Sequence, residues 1–264
     1  MKDSDLIFGL MASFDKKVYS FDDLRHLTAP FYVSVPSLRT CLSRMSAAKV
    51  IRVEKDGRKA YYSFADKGRR ISVNVARGFQ TPDWTGWDGE YWGVSFSVPE
   101  AHGEIRHYIR KKLTNYRFAC LNPGFWIRPA HPEERMPEIL GSILSSGYCR
   151  LIRFRNHREL TPGQAAALWN LRKINRDFRT GLTLLDSGMG KLDSIPPQQA
   201  LVDKMTVGDT IVNILFSDPL LPPLFLPADW QGEAIRKTFL RFDALATEQS
   251  KPYWITIFRQ EDTR

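Results

Sequence analysis

The sequence predicts an α+β chain in three parts, and three observations carry the prediction. Residues 1–80 show three helical periodicities and then a basic hairpin. Residues 90–158 alternate strand and helix patterns in the order βαββαβ. Residues 159–264 are mainly helical patterns interrupted by a Pro-rich stretch. Residues 81–89, with Pro82, Gly86 and Gly89, read as a linker.

The bulk properties agree with a folded chain. Of 264 residues, 43% are hydrophobic and 25% charged, which excludes disorder and fibrous repeats. The formal net charge is +9, and it is unevenly spread. Residues 1–80 hold 15 Lys and Arg against 8 Asp and Glu, a net +7, while the remainder carries only +2. Such asymmetry points to a polyanion partner for the first third. Cys41, Cys120 and Cys149 form neither a complete disulfide framework nor a paired metal spacing. The opening MKDSDLIFGL carries acids where a signal peptide carries bases. Both features point to the cytoplasm. Prolines 219–227 break the best apolar run, which falls short of the ~18 residues of a membrane span.

In the first part, Leu6, Ile7, Leu10 and Phe14 give a helix over 3–14 one apolar face. Ser20, followed three residues later by Asp23, starts a second, short helix as a compact capping box. Pro30 ends it. Ser34 and Pro36 start a third, with Leu38, Cys41, Leu42 and Met45 on its inner face. Its outer face presents Ser37, Arg39, Thr40, Ser43 and Arg44, and no carboxylate. Hydroxyls and guanidinium forks suit phosphate oxygens and guanine edges. Two strand runs follow, 50–53 and 60–64, joined at Asp56-Gly57. Lys55, Arg58 and Lys59 crowd the tip. Three helices and a basic hairpin are the order of a winged helix-turn-helix, whose third helix enters the major groove. A winged domain used for protein contacts is the other reading of this pattern. A further helix over 66–79 would lead out of it.

The middle part has the ferredoxin-like order. The strand 91–97 is followed by a capping box at Ser97 and Glu100, then a helix bearing Ile105, Ile109 and Leu113. Strands at 118–121 and 125–128, a helix over 137–146 and a strand over 148–155 complete it. A domain in the CRISPR adaptation machinery, which this part resembles, places an aspartate near the end of its first strand for metal-dependent cleavage. Here Ser95 and Ser97 occupy that stretch, and the first carboxylate is Glu100. The part is therefore read as a dimerisation surface and not as an enzyme.

In the last part, Thr161, Pro162 and Gln164 form a strong helix start. That helix is lined by Leu168, Leu171, Ile174 and Phe178 and capped by Gly181. A helix over 201–217 runs into the Pro-rich stretch. Asp229 starts a final helix carrying Ile235, Phe239, Phe242 and Leu245.

Three stretches together resemble the PaaX family of bacterial transcriptional repressors. Residues 33–45, Val-Ser-Val-Pro-Ser-Leu-Arg-Thr-Cys-Leu-Ser-Arg-Met, with Asp-Gly-Arg-Lys-Ala-Tyr-Tyr at 56–62, are similar to its recognition helix and wing. Residues 87–100, with Gly-Phe-Trp-Ile-Arg-Pro at 124–129, are similar to its middle domain. Residues 218–232, Asp-Pro-Leu-Leu-Pro-Pro-Leu-Phe-Leu-Pro-Ala-Asp-Trp-Gln-Gly, resemble its C-terminal signature, with Gln231 in place of a proline. The resemblance implies a homodimeric repressor that binds an operator in double-stranded DNA and is released by a small-molecule effector, of the aryl-CoA thioester type in its best known members. It implies DNA contacts from Ser37, Arg39, Thr40, Ser43 and Arg44, with Arg58 and Lys59 in the wing. Lys55 joins them from its place at the hairpin tip. Arg150, Arg153 and Arg155 on the last middle strand are candidates for an effector's phosphates. No metal or resident cofactor is expected. A metal-dependent nuclease and a protein-interaction module are the alternative functions.

Overall fold

A computed structural model describes residues 1–14, 16–155 and 160–259. Helix α1 spans Asp3–Ser13, with Asp3 and Asp5 in its first turn, where the helix dipole favours negative charge. Strand β1, Val18–Ser20, follows; three residues are too few to show an alternation in sequence. Helix α2, Phe21–Thr28, starts with the predicted capping box. The Ser20 hydroxyl accepts from Asp23 N at 3.0 Å, and Ser20 N donates to the Asp23 carboxylate at 2.9 Å. A 3-10 turn at Ala29–Phe31 leads to α3, Val35–Ala47. Strands β2 (Ile51–Asp56) and β3 (Lys59–Phe64) form the predicted hairpin, and β1 pairs along the other edge of β3. Helix α4 spans Asp66–Gly78.

The middle elements are β4 (Glu90–Phe96), α5 (Gly103–Asn115), β5 (Ala119–Asn122) and β6 (Phe125–Pro129). Then come α6 (Met136–Ile139), α7 (Gly141–Leu144) and β7 (Cys149–Arg155). The sheet order is β5-β6-β4-β7, antiparallel throughout. Two expectations fail here. The capping box at Ser97 does not form, because Ser97 N still donates to Tyr148 O at 3.3 Å and the chain stays extended. After a 3-10 turn at Glu100–His102, α5 starts without a side-chain cap. The helix predicted over 137–146 is two short helices, α6 and α7, of four residues each.

Helix α8, Pro162–Leu168, opens on a complete capping box. Thr161 Oγ1 accepts from Gln164 N at 3.2 Å, and Thr161 N donates to Gln164 Oε1 at 2.9 Å. The helix does not run on to Gly181 as predicted. It breaks at Asn170, whose φ is 53°, and α9 resumes over Leu171–Met189. Gly181 lies inside α9 and caps nothing. A Cβ there would stand 2.6 Å from Ile235 Cδ1, so the missing side chain permits close packing. Helices α10 (Pro197–Phe216) and α11 (Gly232–Arg259) complete the described chain, with α11 starting three residues after Asp229.

Contacts divide the chain into two units. One combines Met1–Gln80 with Thr180–Leu215 and Ala234–Arg264; the other combines Thr81–Arg179 with Phe216–Glu233. In the first unit, α10 and α11 are part of the N-terminal core. Leu201, Met205 and Ile257 share one buried cluster with Leu6, Ile7, Leu10, Leu24, Leu38 and Leu42. The Phe14 ring lies 5.0 Å from Trp254 and 5.7 Å from Phe258, and the Tyr253 hydroxyl donates to His26 O at 2.9 Å. Of the apolar stripe predicted for α11, Ile235, Phe239 and Phe242 are buried and Leu245 is exposed. In the second unit, Val94, Ile109, Leu113, Met136 and Ile143 fill the space between sheet and helices. The Pro-rich stretch packs there too. Trp230 meets Phe178 edge-on at 5.1 Å, and Asn175 holds both Asp229 O and Gln231 N.

Candidate nucleic-acid interface

Helix α3 is positioned by its inner face. Leu38, Leu42 and Met45 are buried, Cys41 is half-buried, and the helix packs on α1 and β2. That leaves Arg39, Thr40, Ser43 and Arg44 exposed. The side chains of Ser43 and Arg44 have no hydrogen-bond or ion-pair partner among the described residues. Thr40 Oγ1 donates to Pro36 O at 2.9 Å. The Arg39 guanidinium sits 5.2 Å from the Phe21 ring centre, a cation–π distance. It also lies near Tyr62: burial pushes that phenol up, and Arg39 pulls it partway back.

Ser37 differs from its neighbours. It is half-buried, and its hydroxyl donates to the Asp3 carboxylate at 2.5 Å. The face that carries no acid in sequence therefore gains one from α1. Nothing in the spacing within α3 could have revealed a partner 34 residues away.

The hairpin presents the other candidate cations. Asp56 pairs with Lys59 and Lys55 with Ala60, so the two-residue loop is Gly57-Arg58. Gly57 takes φ 56°, the left-handed value that primed hairpin turns require at this position. Lys55, Arg58 and Lys59 are all exposed and form no ion pair among the described residues. Glu54 and Asp56 share the hairpin and offset part of its charge.

One exposed residue just before α3 is absent from the sequence-based set. Tyr32, between the 3-10 turn and the Ser34 cap of α3, is 96% exposed and has φ 57°. Its position before a Ser-x-Pro helix start is visible in sequence, but its backbone conformation is not.

The three arginines of β7 are each engaged locally. Arg150 donates to Gly147 O and Cys149 O, both at 3.1 Å. Arg153 pairs with Glu90 and lies 5.5 Å from the Trp92 ring centre. Arg155 stands 3.8 Å from Asp88 and lines a cavity of about 300 Å³ with Trp87, Tyr91, Leu224 and Phe225. Among the described residues, no group of three or more His, Cys, Asp and Glu side chains could hold a metal ion. Nor is any described helix long and apolar enough to cross a membrane.

Three family models match the chain in order: PaaX-like protein over 7–68, PaaX protein central Cas2-like domain over 85–166, and PaaX-like protein C-terminal domain over 169–256. The chain belongs to the PaaX family. The first PaaX match contains both α3 and the hairpin. The transcriptional repressor PaaX of Escherichia coli (strain K12) is 24% identical over 214 residues, which are 76% of this chain and 65% of that protein. The match thus spans less than two thirds of that PaaX relative. A solved structure, the uncharacterized protein Rv0674 from Mycobacterium tuberculosis, superposes with a TM-score of 0.60 at 21% identity. It covers 94% of this chain and 95% of its own, and it speaks for the fold alone.

Proposed function

We propose that this PaaX family member is a sequence-specific DNA-binding transcriptional regulator, a repressor, working as a homodimer in the cytoplasm. Residues 1–80 serve as a winged helix-turn-helix, 90–158 as a ferredoxin-like dimerisation domain joined by the 81–89 linker, and 159–264 as a helical sensing part. One observation carries the reading. Arg44 on α3 and Lys55, Arg58 and Lys59 on the hairpin are exposed and unpaired among the described residues of a chain whose named relative is a transcriptional repressor. In helix-turn-helix docking α3 lies in the major groove, with Arg39, Thr40, Ser43 and Arg44 facing the bases and Ser37 at the edge of the contact. The hairpin cations neutralise phosphates and release counterions, so affinity falls steeply with salt.

The effector is an aryl-CoA thioester in this reading. Among the three β7 arginines, Arg155 is favoured to meet it, because aromatic rings and a cavity adjoin it. The ligand releases DNA through unequal affinity for the bound and free dimer conformations. The chain acts without catalysis and without a resident cofactor or metal.

The test is anisotropy titration of the full chain with a duplex that it enriches from a randomised pool. Arg44→Ala is expected to weaken that duplex by roughly 1–3 kcal/mol and to relax preference at one base pair. A wild-type chain that binds the enriched duplex no better than an unrelated one overturns the reading.

A further inference from the structure

We infer that Tyr32 is a DNA-backbone contact, its phenolic hydroxyl donating to a phosphate oxygen and fixing the register of α3 in the groove. The inference rests on the DNA-binding reading above and adds to it a residue outside the basic set. Three observations carry it. First, Tyr32 is 96% exposed, so packing does not hold its ring in place. Neither the ring nor the hydroxyl has a partner among the described residues. Among those residues its one bond is from the backbone, Tyr32 N to Ala29 O at 3.0 Å. Second, its φ of 57° lies in the left-handed region, which bulky L-residues disfavour and glycine adopts freely. Local folding would thus be served as well by glycine. A large side chain kept in a strained position, without internal contacts, points to a role outside the fold.

Third, Tyr32 sits two residues ahead of the Ser34 cap, at the N-terminal end of α3. Helix-turn-helix docking brings that end of the recognition helix closest to the duplex. Ser34, Val35 and Pro36 are exposed as well, so the rest of the unit does not cover this end. A tyrosine hydroxyl is a neutral donor of the kind that binds phosphate oxygens and sets orientation without reading sequence. The contact therefore contributes equally on any duplex.

Two variants separate this role from a structural one. Tyr32→Phe removes only the hydroxyl. Tyr32→Gly removes the side chain and relieves the backbone, so its melting temperature should equal or exceed that of wild type. In anisotropy titrations of the full chain, both variants should weaken the enriched duplex and an unrelated duplex alike, by about tenfold. Tyr32→Phe binding both duplexes as tightly as wild type overturns the inference, whatever Tyr32→Gly does. Arg44→Ala is run in parallel. If it weakens the enriched duplex while the Tyr32 variants do not, the inference fails and the DNA-binding reading stands. If wild type prefers neither duplex, both fail together.

Discussion

Ser37 of α3 and Asp3 of α1 are joined by a 2.5 Å hydrogen bond from hydroxyl to carboxylate. The bond ties the candidate recognition helix to the helix that supports it. A hydrogen bond to a charged acceptor contributes about 1.5–3 kcal/mol. Ser37→Ala should lower the free energy of unfolding by that amount, read as a lower urea midpoint with an unchanged slope. Asp3→Ala should do the same, and the double variant should cost less than the sum, because both remove one interaction.

Trp254 packs against the core of the N-terminal unit although it lies on the last helix. Its ring meets Phe14 at 5.0 Å and Phe258 at 5.7 Å. Trp254→Ala should therefore destabilise the unit by about 2–4 kcal/mol, as truncation of large aromatics does. Amide exchange offers the direct check: protection in α1 and α2 should fall together with protection in α11.

Gly68 tests packing against propensity. It is buried in the first turn of α4, where helix propensity alone favours alanine by about 1 kcal/mol. Yet a Cβ there would stand 2.2 Å from the backbone oxygen of Val50 and 2.8 Å from Phe64 Cδ1. Backbone yields less than a side-chain tip does. Gly68→Ala should lower stability by about 1–3 kcal/mol, measured by thermal unfolding.

The cysteines should separate by reactivity. Cys120 is exposed, Cys41 is half-buried, and Cys149 is buried. Burial pushes the Cys149 thiol up, against smaller opposing effects of a Ser146 hydrogen bond and of Arg150. The thiolate is the reactive form, so at neutral pH Cys149 is both inaccessible and protonated. Iodoacetamide should modify Cys120 first and Cys149 only in denaturant, as peptide mass spectrometry would report.

Local signals in the sequence translated well. Both reciprocal capping boxes, Ser20 with Asp23 and Thr161 with Gln164, formed as their spacing implied. Each needs only neighbours within one helical turn. Ser97 and Glu100 have the same spacing and formed none, because Tyr148 on a distant segment claims Ser97 N. Gly181 failed for a similar reason: what decides its place is Ile235, which no local pattern announces. At the candidate site, Arg39, Thr40, Ser43, Arg44, Lys55, Arg58 and Lys59 are exposed, as helix and hairpin periodicity require. The Ser37–Asp3 bond and the left-handed Tyr32 were out of reach, since one is nonlocal and the other is a backbone sign. Periodicity also showed that α11 has an apolar face without showing that α1 is among its partners.

That last partnership has a consequence for translation. Phe14 leaves the ribosome about 240 residues before Phe258, the ring that packs on it. At roughly 5–20 residues per second, the interval is on the order of 10–50 s. Until those helices are made, Leu6, Leu10, Leu24 and Leu38 lack the cover that α10 and α11 later provide. A segment synthesised well before α10 and α11 is thus among the last to finish folding. A nonsense mutation shortly before the codon for Trp254 would leave the segment bearing α3 with an open core, exposed to proteases and chaperones, although every residue of that segment is present.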